Sequence, residues 1–193
     1  MTDTALTPER ILEAAEDVLR RYGPAKANVV DVARALGVSH GSVYRHFPSK
    51  AALRDAVAER WLVRPMPPLQ AIASGDGPAP ERLRRWLDTL ITRKRVKALD
   101  DPELFAAYYQ LAVEVRGVVG AHVAALAGQI EQIIADGVVR GEFAAPDPKT
   151  AAWAVLSATS RFHNPVHASE WASPTIDAEF EAVWALLLRG LMR

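Results

Sequence analysis

Apolar residues recur every three or four positions along almost the whole chain, and no alternating run of β-branched residues is long enough for a strand. The pattern predicts an all-α protein of about nine helices. The first stripe is Ile11, Ala15, Val18, Leu19 and Tyr22, with Thr7 at its N-cap, Pro8 at its first position and Gly23-Pro24 ending it. Asn28 caps a short second helix carrying Val29, Val32, Ala33 and Leu36, which Gly37 stops. Ser39 caps a third, Ser39 to Phe47, with Val43 and Phe47 facing inward and Pro48 closing it. Ser49 caps a fourth from Lys50 to about Trp61, built on Leu53, Val57 and Trp61.

The pattern then breaks. Arg64 to Pro80 contains Pro65, Pro67, Pro68, Gly75, Gly77, Pro78 and Pro80 and reads as a connector, with at most a helical turn over Leu69 to Ala73. The expected organisation is an N-terminal helix-turn-helix domain at 1–61, a linker at about 62–80 and a larger C-terminal helical domain at 81–193. Five further helices are predicted there, near Glu81–Lys97, Pro102–Val115, Val118–Arg140, Pro148–Phe162 and Ile176–Leu191. The last has the cleanest period, Ile176, Phe180, Val183, Trp184, Leu187, Leu188 and Leu191, and Ala182 and Leu186 widen its apolar arc so that it packs on two sides.

Charge and composition narrow the function. Lys+Arg and Asp+Glu are 23 each, so any attraction to DNA has to come from a local basic surface. With no cysteine, disulfides, thiolate nucleophiles and cysteine zinc sites are excluded. The N-terminus has no apolar leader and no uninterrupted apolar run reaches about 18 residues, which predicts a cytoplasmic protein without a membrane partner. Nucleophile-elbow, Walker, H-E-x-x-H and dinucleotide motifs are missing, so neither an enzyme nor a cofactor is expected.

The second and third helices, joined by Ala35-Leu36-Gly37-Val38-Ser39, have the form of a helix-turn-helix. Gly37 supplies the turn conformation, Val38 plugs the angle between the helices and Ser39 starts the next one. From Val32 through Arg54 the chain carries Arg34, Arg45, Lys50 and Arg54, together with His40 and His46, and no acid, a locally positive face.

The run from Val32 to Lys50 resembles the DNA-binding signature of TetR-type transcriptional regulators, most specifically in Tyr44-x-His46-Phe47-x-x-Lys50. The likeness covers about Thr7 to Trp61. It implies that the helix beginning at Ser39 enters the major groove, with His40, Gly41, Ser42 and Arg45 at base edges. Gly41 would let the helix approach closely and Arg45 would bond guanine through both guanidinium arms. Tyr44, His46 and Lys50 match phosphate-contacting positions, and Asn28 stands where a threonine usually holds a phosphate at the start of the second helix. Val30 departs from members that use arginine there.

A module of this size reads few base pairs, so a homodimer on a palindromic operator is expected. Trp153, Leu156, Phe180, Val183, Trp184, Leu187, Leu188 and Leu191 are its candidate dimerisation residues, with monomer core as the other reading. The resemblance also implies a chamber for a small-molecule effector, for which Trp86, Phe105, Tyr108, Tyr109, His122, Phe162 and His163 are candidates beside an ordinary core role. Tyr108 and Tyr109 project about 100° apart, so at most one faces a given cavity. His163, Asn164 and His167 have metal-ligand chemistry, but Pro165 interrupts the helix that would converge them, and no metal is assigned. Arg161 suits either an acidic effector or a surface carboxylate. The function implied is a repressor released by its effector, the alternative being a regulator controlled by a protein partner, or an activator, without a small molecule.

Overall fold

The computed structural model describes residues 5–25, 28–64 and 66–192. Among them lie eleven α-helices, one 3₁₀ turn, an antiparallel bridge between Phe143 and Met192, and no strand. The chain divides into two compact units, one of residues 1–63 with 101–120 and the other of residues 64–100 with 121–193.

In the first unit, α1 (Pro8–Tyr22) starts at Thr7, whose hydroxyl accepts from the Arg10 amide at 3.3 Å. The Asn28 side chain accepts from the Val30 and Asp31 amides at 3.0 and 3.1 Å to begin α2 (Val29–Leu36). Gly37 ends α2 with φ 67 and ψ 29, a left-handed conformation that only glycine adopts without steric cost. Ser39 then caps α3 (His40–Tyr44). The expected helix ran to Phe47. Beyond Tyr44 the chain tightens instead, with the His46 amide reaching the Val43 carbonyl at 3.0 Å, because Pro48 bars the residue before it from helical geometry. Phe47 still folds back, its amide 3.0 Å from the Val43 carbonyl, and is buried. Ser49 accepts from Ala52 at 3.0 Å to start α4 (Lys50–Val63).

Ile11, Ala15, Leu19, Val32, Val43, Leu53 and Val57 form this unit's buried interior. A fifth helix completes it: α7 (Pro102–Glu114), capped by Asp101, adds Leu104, Phe105, Tyr108 and Leu111. Trp61 stacks on Tyr108 with centroids 4.5 Å apart and meets Phe105 edge-on at 5.9 Å. The Tyr108 hydroxyl donates to buried Glu16 at 3.1 Å. Asp101 pairs with Arg20 at 2.8 Å, and Glu114 with Arg54.

The second unit holds α5 (Met66–Ala73), α6 (Ala79–Asp100), the body of α8 (Arg116–Val139), α9 (Pro148–Ala158), α10 (Ser160–His163), a 3₁₀ turn (Pro165–Glu170) and α11 (Ile176–Leu191). Helix α5 corrects the reading of this stretch as a connector. Pro67 and Pro68 lie in its first turn, where no amide donor is needed, and Leu69 and Ala73 are buried one turn apart. Pro65 lies outside the described residues. The helix expected over 148–162 is broken at Thr159, whose φ of −94 and ψ of 1 leave helical geometry while its hydroxyl donates back to the Val155 carbonyl at 2.8 Å. These two differences raise the helix count above nine.

Arg82 pairs with Asp136, and the Trp86 indole donates to Gln129 at 2.9 Å, so α6 and α8 run antiparallel. Leu83, Trp86, Leu87 and Leu90 of α6 and Ile130, Ile133 and Ile134 of α8 form the centre of the core. By length and composition alone α8 is apolar enough to cross a membrane, but its Leu126, Ile130, Ile133 and Ile134 stripe is buried in this core, as in the core helix of a globular protein.

Gly137 of α8 permits the closest approach. A Cβ there would stand 2.5 Å from the Phe143 ring and 2.7 Å from the Ala79 Cβ. Gly137→Ala is therefore expected to destabilise by about 1–3 kcal/mol despite alanine's better helix propensity, read as a lower urea midpoint at unchanged m. An unchanged midpoint would show that the helices separate freely.

Candidate functional site

The turn at Gly37 presents α3 with one side buried and the other in water. Val43 and Phe47 point into the unit, while His40, Gly41, Tyr44, Arg45, His46 and Lys50 are exposed. Ser39, Ser42 and Arg45, three apart, are linked on one side: the serine hydroxyls lie 2.9 Å apart and Arg45 Nη2 donates to Ser42 Oγ at 3.3 Å. This holds the Arg45 fork beside the two hydroxyls and leaves its other donors free to meet an acceptor edge. A Cβ at Gly41 would meet only Ser39 Oγ, at 3.8 Å, so the absence of a side chain there leaves open space on the exposed face.

The positive face is narrower than the acid-free run of sequence suggests. Arg34 pairs with Asp31 at 3.0 Å, and Arg54 donates to Glu114 and to the Pro24 carbonyl. Arg45 and Lys50 remain as its exposed cationic side chains, with the exposed His40 and His46 beside them. Asn28 uses its amide at both ends, accepting from two backbone amides and donating to Asp31 Oδ2 at 2.6 Å.

The seven candidate effector residues fall into both units. Phe105 and Tyr108 are buried against Trp61 in the first, and Tyr109, the next residue round the helix, is 40% exposed. In the second, Trp86 is bonded to Gln129 and Phe162 packs edge-on against Phe180 with centroids 5.1 Å apart. His163 Nε2 lies 3.3 Å from Thr159 Oγ1. His122 Nε2 is shielded from water without a hydrogen-bond partner.

Sequence reasoning missed Lys94, which is 7% exposed. The signal was present, because Leu83, Leu87, Leu90 and Lys94 occupy one helical stripe and only the last is charged. Burial, reinforced by Lys97, pushes Lys94 down to about 8. Burial, then Lys94 and Lys97, pushes His122 down to about 3, and burial with Lys94 takes His163 down to about 4.

Of the candidate dimerisation residues, Leu156, Phe180, Trp184 and Leu191 are buried in the unit's own core. Val183, Leu187 and Leu188 are partly covered, and Trp153 is 40% exposed. Beside α11, an open groove of about 950 Å³ is lined by Arg84, Thr92, Val96, Trp184 and Leu188. Arg161 pairs with Glu170 at 2.7 Å and with Glu179, both surface carboxylates. His167 turns to Glu170 at 2.8 Å, away from the Thr159 partner of His163.

Fold and site together define a helix-turn-helix protein with an all-helical second part. Residues 11–57 match the bacterial regulatory proteins of the tetR family and residues 79–184 the tetracyclin repressor-like C-terminal domain. The chain belongs to the TetR family of helix-turn-helix transcriptional regulators. It is 40% identical over 57 residues to an HTH-type transcriptional regulator of Mycobacterium tuberculosis, Rv1255c, a match spanning 30% of this chain and 28% of that relative. In fold it is similar to SmeT, repressor of the Stenotrophomonas maltophilia multidrug efflux pump SmeDEF, at TM-score 0.73 and 19% identity over 99% of this chain and 93% of that one. It is also similar to FadR from Bacillus subtilis in complex with stearoyl-CoA, at TM-score 0.67 and 17% identity over 95% and 99%.

The lowered histidines set a pH dependence. An imidazole of ordinary value 6.5 is more readily protonated in the unfolded chain than in this interior, so the unfolded state gains protons first as pH falls. Stability is complete above 6.5 and is lost through the window down to about 4 for His163 and about 3 for His122. Each contributes up to about 1.4 kcal/mol per pH unit there, while Lys94 is charged in both states. The denaturation midpoint is expected to fall between about pH 6.5 and about pH 5, and His163→Gln to flatten that fall; an unaltered slope would show that His163 is protonated as easily folded as unfolded.

Proposed function

We propose that this regulator is a homodimeric repressor that holds a palindromic operator and is released when a small molecule occupies the second unit. The observation that carries the DNA reading is α3 itself. With the turn that follows it, its core side is spent on Val43 and Phe47, and its water side carries Gly41 and the side chains of His40, Ser42, Tyr44 and Arg45. Arg45 is the base reader, Tyr44, His46 and Lys50 meet phosphates on either side, and Gly41 is the point of closest approach. Dimerisation through α9 and α11 uses Trp153, Val183, Leu187 and Leu188, which are among the apolar groups these helices leave partly or fully uncovered. The fold neighbours support effector control: SmeT has been solved in a triclosan complex and FadR with stearoyl-CoA.

A ligand preferring one arrangement of the dimer would move the two recognition helices off half-sites spaced about 34–36 Å apart. The test is fluorescence anisotropy of the purified protein on DNA from upstream of its own coding region and on duplexes selected from a random pool, at two salt concentrations. Tight, salt-sensitive binding to particular duplexes is expected, and failure to select any sequence would overturn the reading. Arg45→Ala should cost about 1–3 kcal/mol and relax base choice, whereas Tyr44→Ala should weaken all duplexes alike. Gly41→Ala separates fold from function: it should stabilise the free protein by up to about 1 kcal/mol yet weaken operator binding. Equal operator affinity in the Gly41 and Arg45 variants would remove α3 from the groove.

A further inference from the structure

Helix α6 buries one side and leaves the other without a covering element. Trp86, Leu87, Leu90 and Ile91 lie in the core of the second unit, whereas Arg85, Thr92, Val96 and Leu99 are exposed and Thr89 is half-buried. From Arg85 through Thr89, Thr92 and Val96 to Leu99 the steps alternate between four and three residues, the spacing by which one helix seats another along a continuous seam. The seam is apolar toward its end. The Thr89 hydroxyl is taken up by the Arg85 carbonyl at 2.7 Å, and Val96 and Leu99 are 46% and 78% exposed.

The groove of about 950 Å³ beside α11 follows this side of α6 from Pro80 to Lys97, with Trp184 and Leu188 as its second wall. Such a length of helix is about 25 Å, room for a partner helix of about four turns. The groove is too open to enclose a drug-sized molecule on most of its surface.

The charges along the seam are ordered. Arg84 is held within the protein by Asp88 at 2.9 Å and Glu181 at 2.8 Å, and its guanidinium lies over the Trp184 ring at 5.7 Å. Arg85 and Arg93, by contrast, have no ion-pair partner among the described residues, nor do Glu81 and Asp100. Unpaired charge on α6 therefore runs acid, base, base, acid, with the two arginines about 12 Å apart in the middle.

We propose that this side of α6 is a docking surface for an amphipathic helix of another protein. The apolar stripe of that helix follows the seam from Arg85 to Leu99, its carboxylates lie opposite Arg85 and Arg93, and its basic residues lie toward its ends. Burial of Val96, Leu99 and the groove wall supplies affinity, while the order of charges sets the register and rejects helices of the opposite pattern. The inference goes beyond effector control, because it gives the second unit a protein input that a small molecule does not supply.

The test uses two fluorescein-labelled synthetic helices of identical composition, both with leucines at alternating steps of three and four. One carries glutamates at its centre and lysines at its ends, and the other the reverse. In anisotropy titrations with the full-length protein, the glutamate-centred helix should bind at least about fivefold tighter than its twin. Arg85→Glu together with Arg93→Glu should reverse that preference, and Thr92→Arg, which fills the seam, should weaken the preferred helix at least about tenfold. Equal affinity for the twins, no binding of either at about 100 μM, or an unreversed preference in the charge-swapped protein would each overturn the proposal. Where the double variant fails to fold, the wild-type comparison and Thr92→Arg still decide. Sedimentation velocity separates the remaining occupant: a wild-type assembly larger than that of Thr92→Arg would assign the face to a second copy of this chain and overturn the proposal as well.

Discussion

Burial of apolar surface is the constraint on which the DNA-binding unit depends. Four short helices of about 60 residues hide too small a share of their surface to be comfortably stable, and α3 can contribute little because one side of it stays polar. The deficit is met by α7, forty residues further along the chain, which lays Leu104, Phe105, Tyr108 and Leu111 into the same interior. The stack of Trp61 on Tyr108 and the bond from Tyr108 to Glu16 hold α4, α7 and α1 to one another. Glu16 would be a costly buried acid alone. With the Tyr108 hydroxyl and Arg60 Nε at 3.4 Å it is solvated by the protein, and the polar contacts add direction to a core whose stability comes from apolar burial.

That arrangement frees α3 to be built for contact instead of packing. Val43 and Phe47 are enough to seat it, Gly37 sets its angle, and the Ser39, Ser42 and Arg45 chain orders its outer side before anything binds. The pairing of Arg34 with Asp31 and of Arg54 with Glu114 leaves the charge of this face at Arg45 and Lys50.

The second unit shows the opposite economy. Its α6 and α8 helices are locked by apolar contacts and by the Trp86–Gln129 bond, a core that could have been wholly apolar. His122, whose Nε2 is shielded from water without a hydrogen-bond partner, interrupts it at a cost in stability. Such departures from local consistency are where function is expected to reside in a protein that otherwise obeys the rules of its fold.

By itself the sequence determined the helical class, the caps at Thr7, Asn28, Ser39 and Ser49, the left-handed turn at Gly37, the span of α11 and the exposed residues of α3. These follow from neighbours within a turn of one another, where spacing and side-chain chemistry act directly. Tertiary structure alone decided that α7 packs with the N-terminal helices, that Phe105 and Tyr108 serve Trp61, that Arg54 belongs to Glu114, and that Phe180 and Trp184 lie in their own unit's core. Periodicity reports which side of a helix is buried but not against which partner, because the same apolar stripe is satisfied by any complementary surface; only the packed chain names the one it found.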